Sequence, residues 1–309
     1  MIDALFPAEL AYRGVNRLRR SLYRRGILAP ERLPRPVVSV GNRAIGGSGK
    51  TPAVIAIARG LRAAGKRVAI LTRGYGRVAT DEPLLVDRAD AARFGDEPSV
   101  IHEALAGVPV IVGARRARAA RWFLEGSDCD AFLLDDGFQH LQLARDVDVV
   151  IENAATRRFR EGKSALADAD LVLLRGGAEE PAGAIAFRAE LRPVDWMDGG
   201  QPAPLESLRG RRAVVFAGLA DNAQFFSMVE ELGVDVRAAL PFRDHQRYGE
   251  AELRAIREAQ RRTGADLLLT TMKDRVKAEL GSVGAVRVEL AIEPAARFFE
   301  LLLSRLGRS

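Results

Sequence analysis

The residues richest in chemical meaning lie in the stretch Val37–Thr51, VVSVGNRAIGGSGKT. Consecutive backbone N–H groups wrap an anion only where no Cβ blocks the approach, which Gly46, Gly47 and Gly49 allow. A helix opening near Thr51 adds further unpaired N–H groups and the positive end of its dipole. In such a loop the Lys50 ammonium reaches the β- and γ-phosphates of a nucleotide, and the Thr51 hydroxyl holds Mg²⁺. Pro52 suits a first helical turn, where its missing N–H costs nothing. The first glycine of the pattern G-x-x-x-x-G-K-[ST] is replaced by Ala44, so the phosphate-binding set is Ala44, Ile45, Gly46, Gly47, Ser48, Gly49, Lys50 and Thr51.

Acids and bases recur elsewhere in short clusters. Asp135-Asp136 ends the apolar run AFLL, the place where a carboxylate at a strand tip meets both a phosphate-bound metal and the loop threonine. Gly95-Asp96-Glu97-Pro98 reads as an acidic turn, and Phe242-Arg243-Asp244-His245 follows a strand late in the chain. A carboxylate and an imidazole from two parts of the chain, meeting across a cleft, would deprotonate a hydroxyl for attack on a γ-phosphate. Arg73 in RGYGR and the pair Arg160-Glu161 would supply positive charge and a further acid there. His140 reads as structural, since no second His or Cys stands at zinc spacing.

The elements that must position these groups are legible from periodicity. Val37–Val40 is a strand, Val54, Ile55, Ile57, Ala58 and Leu61 mark a helix closing at Gly65, and Arg67–Thr72 is the next strand, a βαβ unit. Strand-like runs recur at Val108–Val112, Ala131–Leu134, Val147–Ile151 and Leu171–Leu174. The fold class expected is α/β, a P-loop NTPase-like, doubly wound, mainly parallel sheet over residues 1–188, with ligands at the carboxyl ends of its strands. Residues 189–212, rich in Pro, Gly and charge, read as a connection. A second, smaller α/β domain over 213–309 would close over the cleft, with strands at Ala213–Phe216, before Pro241, at Asp266–Thr270 and at Val286–Leu290, and helices near Gln224–Leu232, at Glu250–Thr263 and from Ala295.

Composition narrows the class. The 309 residues are 48% hydrophobic and 28% charged, which argues against disorder, and one cysteine, Cys129, excludes an internal disulfide and suits a reducing compartment. No run approaches the roughly 18 apolar residues needed to span a bilayer, so a cytoplasmic protein is expected. The net charge of +6 points to an anionic partner. Eight arginines crowd residues 13–35. Ala11, Val15, Leu18 and Leu22 form one apolar helical stripe there, and Arg13, Arg17, Arg20 and Arg24 lie mostly off it. Such a helix either lies on an anionic membrane surface or packs on the domain with a solvated Arg face.

Taken together, SVGNRAIGGSGKTP (39–52), TRGYGR (72–77), GDEP (95–98), LLDDGFQHLQLARD (133–146), the RE pair at 160–161, FAG (216–218), FF (225–226), FRDHQRY (242–248) and LLLTTMKD (267–274) resemble the tetraacyldisaccharide 4′-kinase family over nearly the whole chain. The resemblance implies transfer of the γ-phosphate of ATP to the 4′-hydroxyl of a tetraacylated glucosamine disaccharide 1-phosphate, giving lipid IVA. It implies Asp96 and His245 as the catalytic dyad and the 44–51 loop with Arg160 on ATP. It further implies Thr51, Glu97, Asp135 and Asp136 near Mg²⁺, and a helix over about residues 1–25 docked on the cytoplasmic face of the inner membrane, with the protein a monomer.

Two other classes compete with this reading. A P-loop GTPase or ATPase switch wants N-K-x-D, but in Thr271-Met272-Lys273-Asp274 the lysine and aspartate are adjacent. Nucleic acid is not the expected partner, because few aromatics interleave the N-terminal arginines and no base-reading module is visible.

Overall fold

A computed structural model describes residues 6–44, 49–75, 82–278 and 280–307. Its elements in chain order are α1 (Phe6–Arg24), β1 (Val37–Asn42), α2 (Lys50–Ala63), β2 (Val68–Thr72), β3 (Leu84–Leu85), α3 (Ala91–Phe94), α4 (Asp96–Ala104), β4 (Val110–Val112) and α5 (Arg116–Leu124). Then follow β5 (Ala131–Asp135), β6 (Val147–Asn153), β7 (Leu171–Arg175), β8 (Ala186–Asp198), β9 (Gln201–Ala203), β10 (Arg212–Ala217), α6 (Asn222–Glu231) and β11 (Asp235–Pro241). The chain closes with α7 (Glu250–Thr263), β12 (Leu267–Thr271), α8 (Met272–Arg275), β13 (Gly284–Glu293) and α9 (Ala295–Leu306).

The described strands join one mixed sheet in the order β11-β10-β12-β13-β8-β7-β6-β1-β5-β2-β4-β3, with β9 beside β8. The pairs around β1 are parallel: β1 lies between β5 and β6, and β5 in turn pairs with β2. Strand order therefore changes direction at β1, and the carboxyl ends of β1 and β5 open side by side where ligands of such sheets bind. Burial on both faces explains why these strands read as continuous apolar runs. One face packs on α2 through Val54, Ile57, Ala58 and Leu61; the other packs on α5 through Ala119, Ala120 and Phe123.

Residues 189–212, read from sequence as a connection, are largely sheet. Strand β8 pairs parallel with β7 at its start and antiparallel with β13 along its length. Pro193 is accommodated because the register skips Val194, a bulge that relieves the ladder of a missing N–H. Trp196, Val215, Leu269 and Val286 form a separate core for the late strands. Helix α9 does not stay with them: Phe298 and Leu302 are buried in the same cluster as α2. An apolar stripe on a terminal helix does not specify which core it joins.

Helix α1 turns its polar side inward. Asn16 and Arg20 are each only 4% exposed, whereas Val15 is 55% and Leu18 62% exposed. The Arg20 guanidinium donates to both oxygens of Glu161, to Asp168 and to the Phe138 carbonyl, and lies 4.3 Å from the Phe138 ring centroid. This corrects the sequence alternative of a helix packed by its apolar stripe. Among the described residues no helix is long and apolar enough to cross a membrane.

Candidate active site

At the start of α2, Gly49 takes the left-handed conformation with φ 88°, and Lys50 and Thr51 form the first turn. The backbone requires glycine here, and a Cβ would stand 2.6 Å from Arg175 Nη1 and displace that guanidinium. Ile45, Gly46, Gly47 and Ser48 lie outside the described residues. Ala44 is buried and bridges antiparallel to Phe159, while the Arg160 N–H donates to the Arg43 carbonyl at 2.7 Å. That pairing carries the Arg160 side chain to Asp136, with Nη1 3.0 Å from Oδ2.

Strand β5 delivers the two carboxylates. Asp135 ends the strand, almost fully buried, and accepts from the Thr72 hydroxyl at 2.9 Å. Burial, with Glu97 and Asp136 adding repulsion, pushes its pKa up to about 7. Burial also pushes Asp136 upward, but Lys50 and Arg160 overcome it and hold the carboxyl below its usual range. Lys50 Nζ lies 3.6 Å from Asp136 Oδ1. Asp136 adopts φ 50°, a strained left-handed geometry for a non-glycine residue that turns its side chain from the sheet toward Lys50.

Among the described residues, Asp135 Oδ1 and Asp136 Oδ1 are buried with no hydrogen-bond donor. Hard, unpartnered carboxylate oxygens next to a lysine and a helix N-terminus fit a divalent cation shared with phosphates. Among the described residues no three His, Cys, Asp or Glu side chains gather closely enough to hold a metal alone. Mg²⁺ is held by one or two carboxylates plus phosphate oxygens and water, so the pair is sufficient.

GDEP is the start of a helix, not a turn. Gly95, at φ 99°, closes α3 and opens α4, and Asp96, Glu97 and Pro98 occupy the first turn, where acids complement the dipole. Across from it, His245 Nδ1 lies 3.2 Å from Asp96 Oδ2. His245 has φ 57° and meets the exposed Tyr75 ring edge-on at 5.3 Å between centroids. Lys277 Nζ is 3.3 Å from the same Asp96 oxygen. Burial raises the Asp96 pKa, but the His245 hydrogen bond and then Lys277 and Lys273 outweigh it, so the carboxyl stays below its ordinary range.

The chain matches the family model described as tetraacyldisaccharide-1-P 4′-kinase over residues 1–307. The chain belongs to the tetraacyldisaccharide 4′-kinase family. It is 40% identical to the tetraacyldisaccharide 4′-kinase of Geobacter metallireducens, covering 94% of this chain and 96% of that one. The kinase of that name from Anaeromyxobacter dehalogenans strain 2CP-C is also 40% identical, over 89% of this chain and 81% of its own. A crystal structure of the "apo" form of LpxK from Aquifex aeolicus in complex with ATP superposes with a TM-score of 0.81 at 28% identity, covering 98% of each chain.

In this member of the tetraacyldisaccharide 4′-kinase family, the structure gathers Lys50, Asp135, Asp136 and Arg160 at one sheet edge and joins Asp96 to His245. Glu97 lies near enough to repel Asp135. Glu161 is not part of this group, because it is buried against Arg20 on the side of α1. Sequence reasoning missed Arg116, which is buried at the start of α5 and faces Asp135 and Asp136. Burial brings its pKa down to about 10 while Asp135 opposes the shift. A usable signal existed: β4 pairs with β2 near the switch, so a charge just after Val112 falls at the ligand edge. The lysines of α8 and the loop after it, Lys273 and Lys277, were also missed.

Proposed function

We propose that this chain is an ATP-dependent lipid kinase that transfers the γ-phosphate to the 4′-hydroxyl of a tetraacyldisaccharide 1-phosphate, forming lipid IVA in lipid A biosynthesis. The observation that carries the reading is the hydrogen bond between Asp96 and His245 beside a lysine-tipped helix N-terminus. In this reading the 44–51 loop takes the phosphates of ATP, and Arg160 with Arg116 offsets charge on the transferring group. Thr51, Asp135 and Asp136, with Glu97 nearby, would hold Mg²⁺, which supplies charge neutralisation on phosphate oxygens. Asp96 accepts the proton of the sugar hydroxyl, and His245 holds its Oδ2. The hydroxyl oxygen bonds phosphorus as the bond to ADP breaks, and the proton stays on Asp96 until solvent removes it.

We read the substrate's acyl chains as held at the inner membrane's cytoplasmic face. What supports this is α1, whose Val15 and Leu18 face outward while Arg20 anchors the opposite side. Such a helix lies in the interface, with its remaining arginines toward anionic headgroups. The working unit is a monomer whose two parts, 1–188 and 213–309, share one sheet through β8.

The test is transfer from labelled ATP to tetraacyldisaccharide 1-phosphate in detergent, for wild type and His245→Ala side by side. Labelled lipid with wild type and a severe loss in the variant is the expected result. Nucleotide hydrolysis without labelled lipid would overturn the proposal.

A further inference from the structure

Both partners of the Arg160–Asp136 ion pair are braced from α1. Among the described side chains of that helix only Asn16 and Arg20 are buried, and one helical turn sets them on the same face. Asn16 Nδ2 donates to the Arg160 carbonyl at 3.1 Å. The Arg160 N–H donates to the Arg43 carbonyl at 2.7 Å, and Arg43 Nη1 donates to the Glu161 carbonyl at 3.2 Å. Arg160 is thus gripped on one side by the residue that precedes the phosphate loop and on the other by α1. Arg20 holds the opposite partner. Its Nη2 donates at 3.1 Å to the carbonyl of Phe138, two residues beyond Asp136 and its left-handed turn at φ 50°. Glu161 pins Arg20 for that contact, accepting from Nε at 2.9 Å and Nη2 at 3.0 Å, and Asp168 accepts from Nη1 at 2.7 Å.

A residue whose N–H and C=O are both engaged is fixed in place and in rotation, so its side chain leaves in one direction. For Arg160 that direction is Asp136, where Nη1 meets Oδ2 at 3.0 Å. Removing the Asn16 donor leaves a carbonyl in partly buried surroundings unpaired, and the segment gains by turning it toward water. We propose that Asn16 and Arg20 are positioning residues, through which the seating of α1 sets Arg160 and Asp136 for the transferring phosphate.

This inference rests on the kinase reading for its catalytic meaning. The two faces of α1 then have separate duties: Val15 and Leu18 point outward, while Asn16 and Arg20 act on the site from within. Neither buried residue has to touch substrate. A displacement of about 1 Å at a group that positions the reacting atoms costs on the order of 10²-fold in rate, so a brace on Arg160 is enough.

The test is Asn16→Leu in the full-length protein, a change that keeps the volume and loses the donor, with kinetics in detergent and hydrogen-exchange mass spectrometry on the same sample. The kcat for lipid phosphorylation should fall roughly 10–100-fold with the KM for ATP held. The amides of residues 157–162 should exchange faster while those of β1 and α2 keep their rates. Sedimentation with anionic vesicles should not change, because Asn16 faces inward. Asn16→Gln, which retains an amide donor, should recover part of kcat. In an Arg160→Met background, Asn16→Leu should cost scarcely anything further, since it acts through Arg160. Losses that multiply would make Asn16 merely structural and overturn the proposal, and so would a wild-type kcat in Asn16→Leu. Should that variant fail to fold, Arg20→Lys decides. Its ammonium lacks the planar fork that spans Glu161 and the Phe138 carbonyl, so unchanged kcat with unchanged exchange over residues 136–140 refutes the coupling. Exchange is read without turnover: faster exchange at 157–162 in Asn16→Leu, with no lipid labelled by wild type, would sink the kinase reading and leave the bracing of Arg160 standing.

Discussion

His245 and Asp96 are 149 positions apart in the chain, and their side chains meet at 3.2 Å. The imidazole arrives from the loop after β11 and the carboxylate from the first turn of α4, so neither lobe carries the pair alone. The partners are held independently: Asp96 by the N-terminus of its helix, His245 by Lys273 and Asp244.

Acting as one unit, the pair should respond non-additively to substitution. Asp96→Asn and His245→Gln should each lower kcat on the order of 10²–10⁴-fold. The KM for ATP should change little, and the double variant should be scarcely worse than the more damaging single one. Steady-state kinetics on the three variants measures this, and losses that multiply would mean that the residues act separately.

Arg160 and Lys50 both balance Asp136. Arg160→Met should lower kcat roughly 10²–10³-fold, the scale for removing one preorganised donor from a developing charge. Lys50→Met should do at least as much and also weaken nucleotide binding, because the proposed role of its ammonium is to contact phosphate in the ground state as well. Calorimetric titration with a non-hydrolysable ATP analogue separates the two, and unchanged ATP-analogue affinity in Lys50→Met would contradict its assignment.

The inverted packing of α1 separates its anchoring in the fold from the proposed membrane contact. Val15→Glu with Leu18→Glu should abolish sedimentation with anionic vesicles while leaving the unfolding midpoint within a degree or two, since both side chains are solvent-facing. Arg20→Ala should do the reverse in part, costing about 3–5 kcal/mol because it strands the buried Glu161 carboxylate. Denaturant melts and vesicle pelleting on the same samples test both, and an intact vesicle signal in the double variant would remove the membrane role of this face.

Burial, reinforced by Arg116, Arg145, Arg19 and Arg73, takes the His140 pKa from 6.5 down to about 4. The folded state therefore holds His140 neutral while the unfolded chain binds a proton below about pH 6.5. Stability from this group is complete above pH 6.5 and is lost progressively as pH falls toward 4. His140→Gln should flatten the pH dependence of the unfolding free energy between those values. An equally steep dependence in the variant would place the proton uptake elsewhere.

The local pattern determined most of the secondary structure. Apolar runs placed β1, β2, β5, β6 and β7, and the Gly-Lys-Thr-Pro succession placed the start of α2, because strand burial and helix initiation are satisfied by neighbours a few residues away. The acid pair at Asp135 was legible for the same reason, as a polar interruption at the end of a buried strand. Tertiary structure alone decided the remainder. Pro193 disguised β8, which exists because β13 pairs with it around a bulge. Arg160 and Glu161 are adjacent in sequence yet serve opposite sides of the chain, one on Asp136 and the other on Arg20, since successive residues of an extended segment point apart. Arg116 gains a signal only once the sheet order is known, and nothing beside Lys273 in the sequence points to the imidazole it meets. Their importance comes from the carboxylates and imidazole that distant elements set against them, and a buried charge is defined by its surroundings rather than by its sequence neighbours.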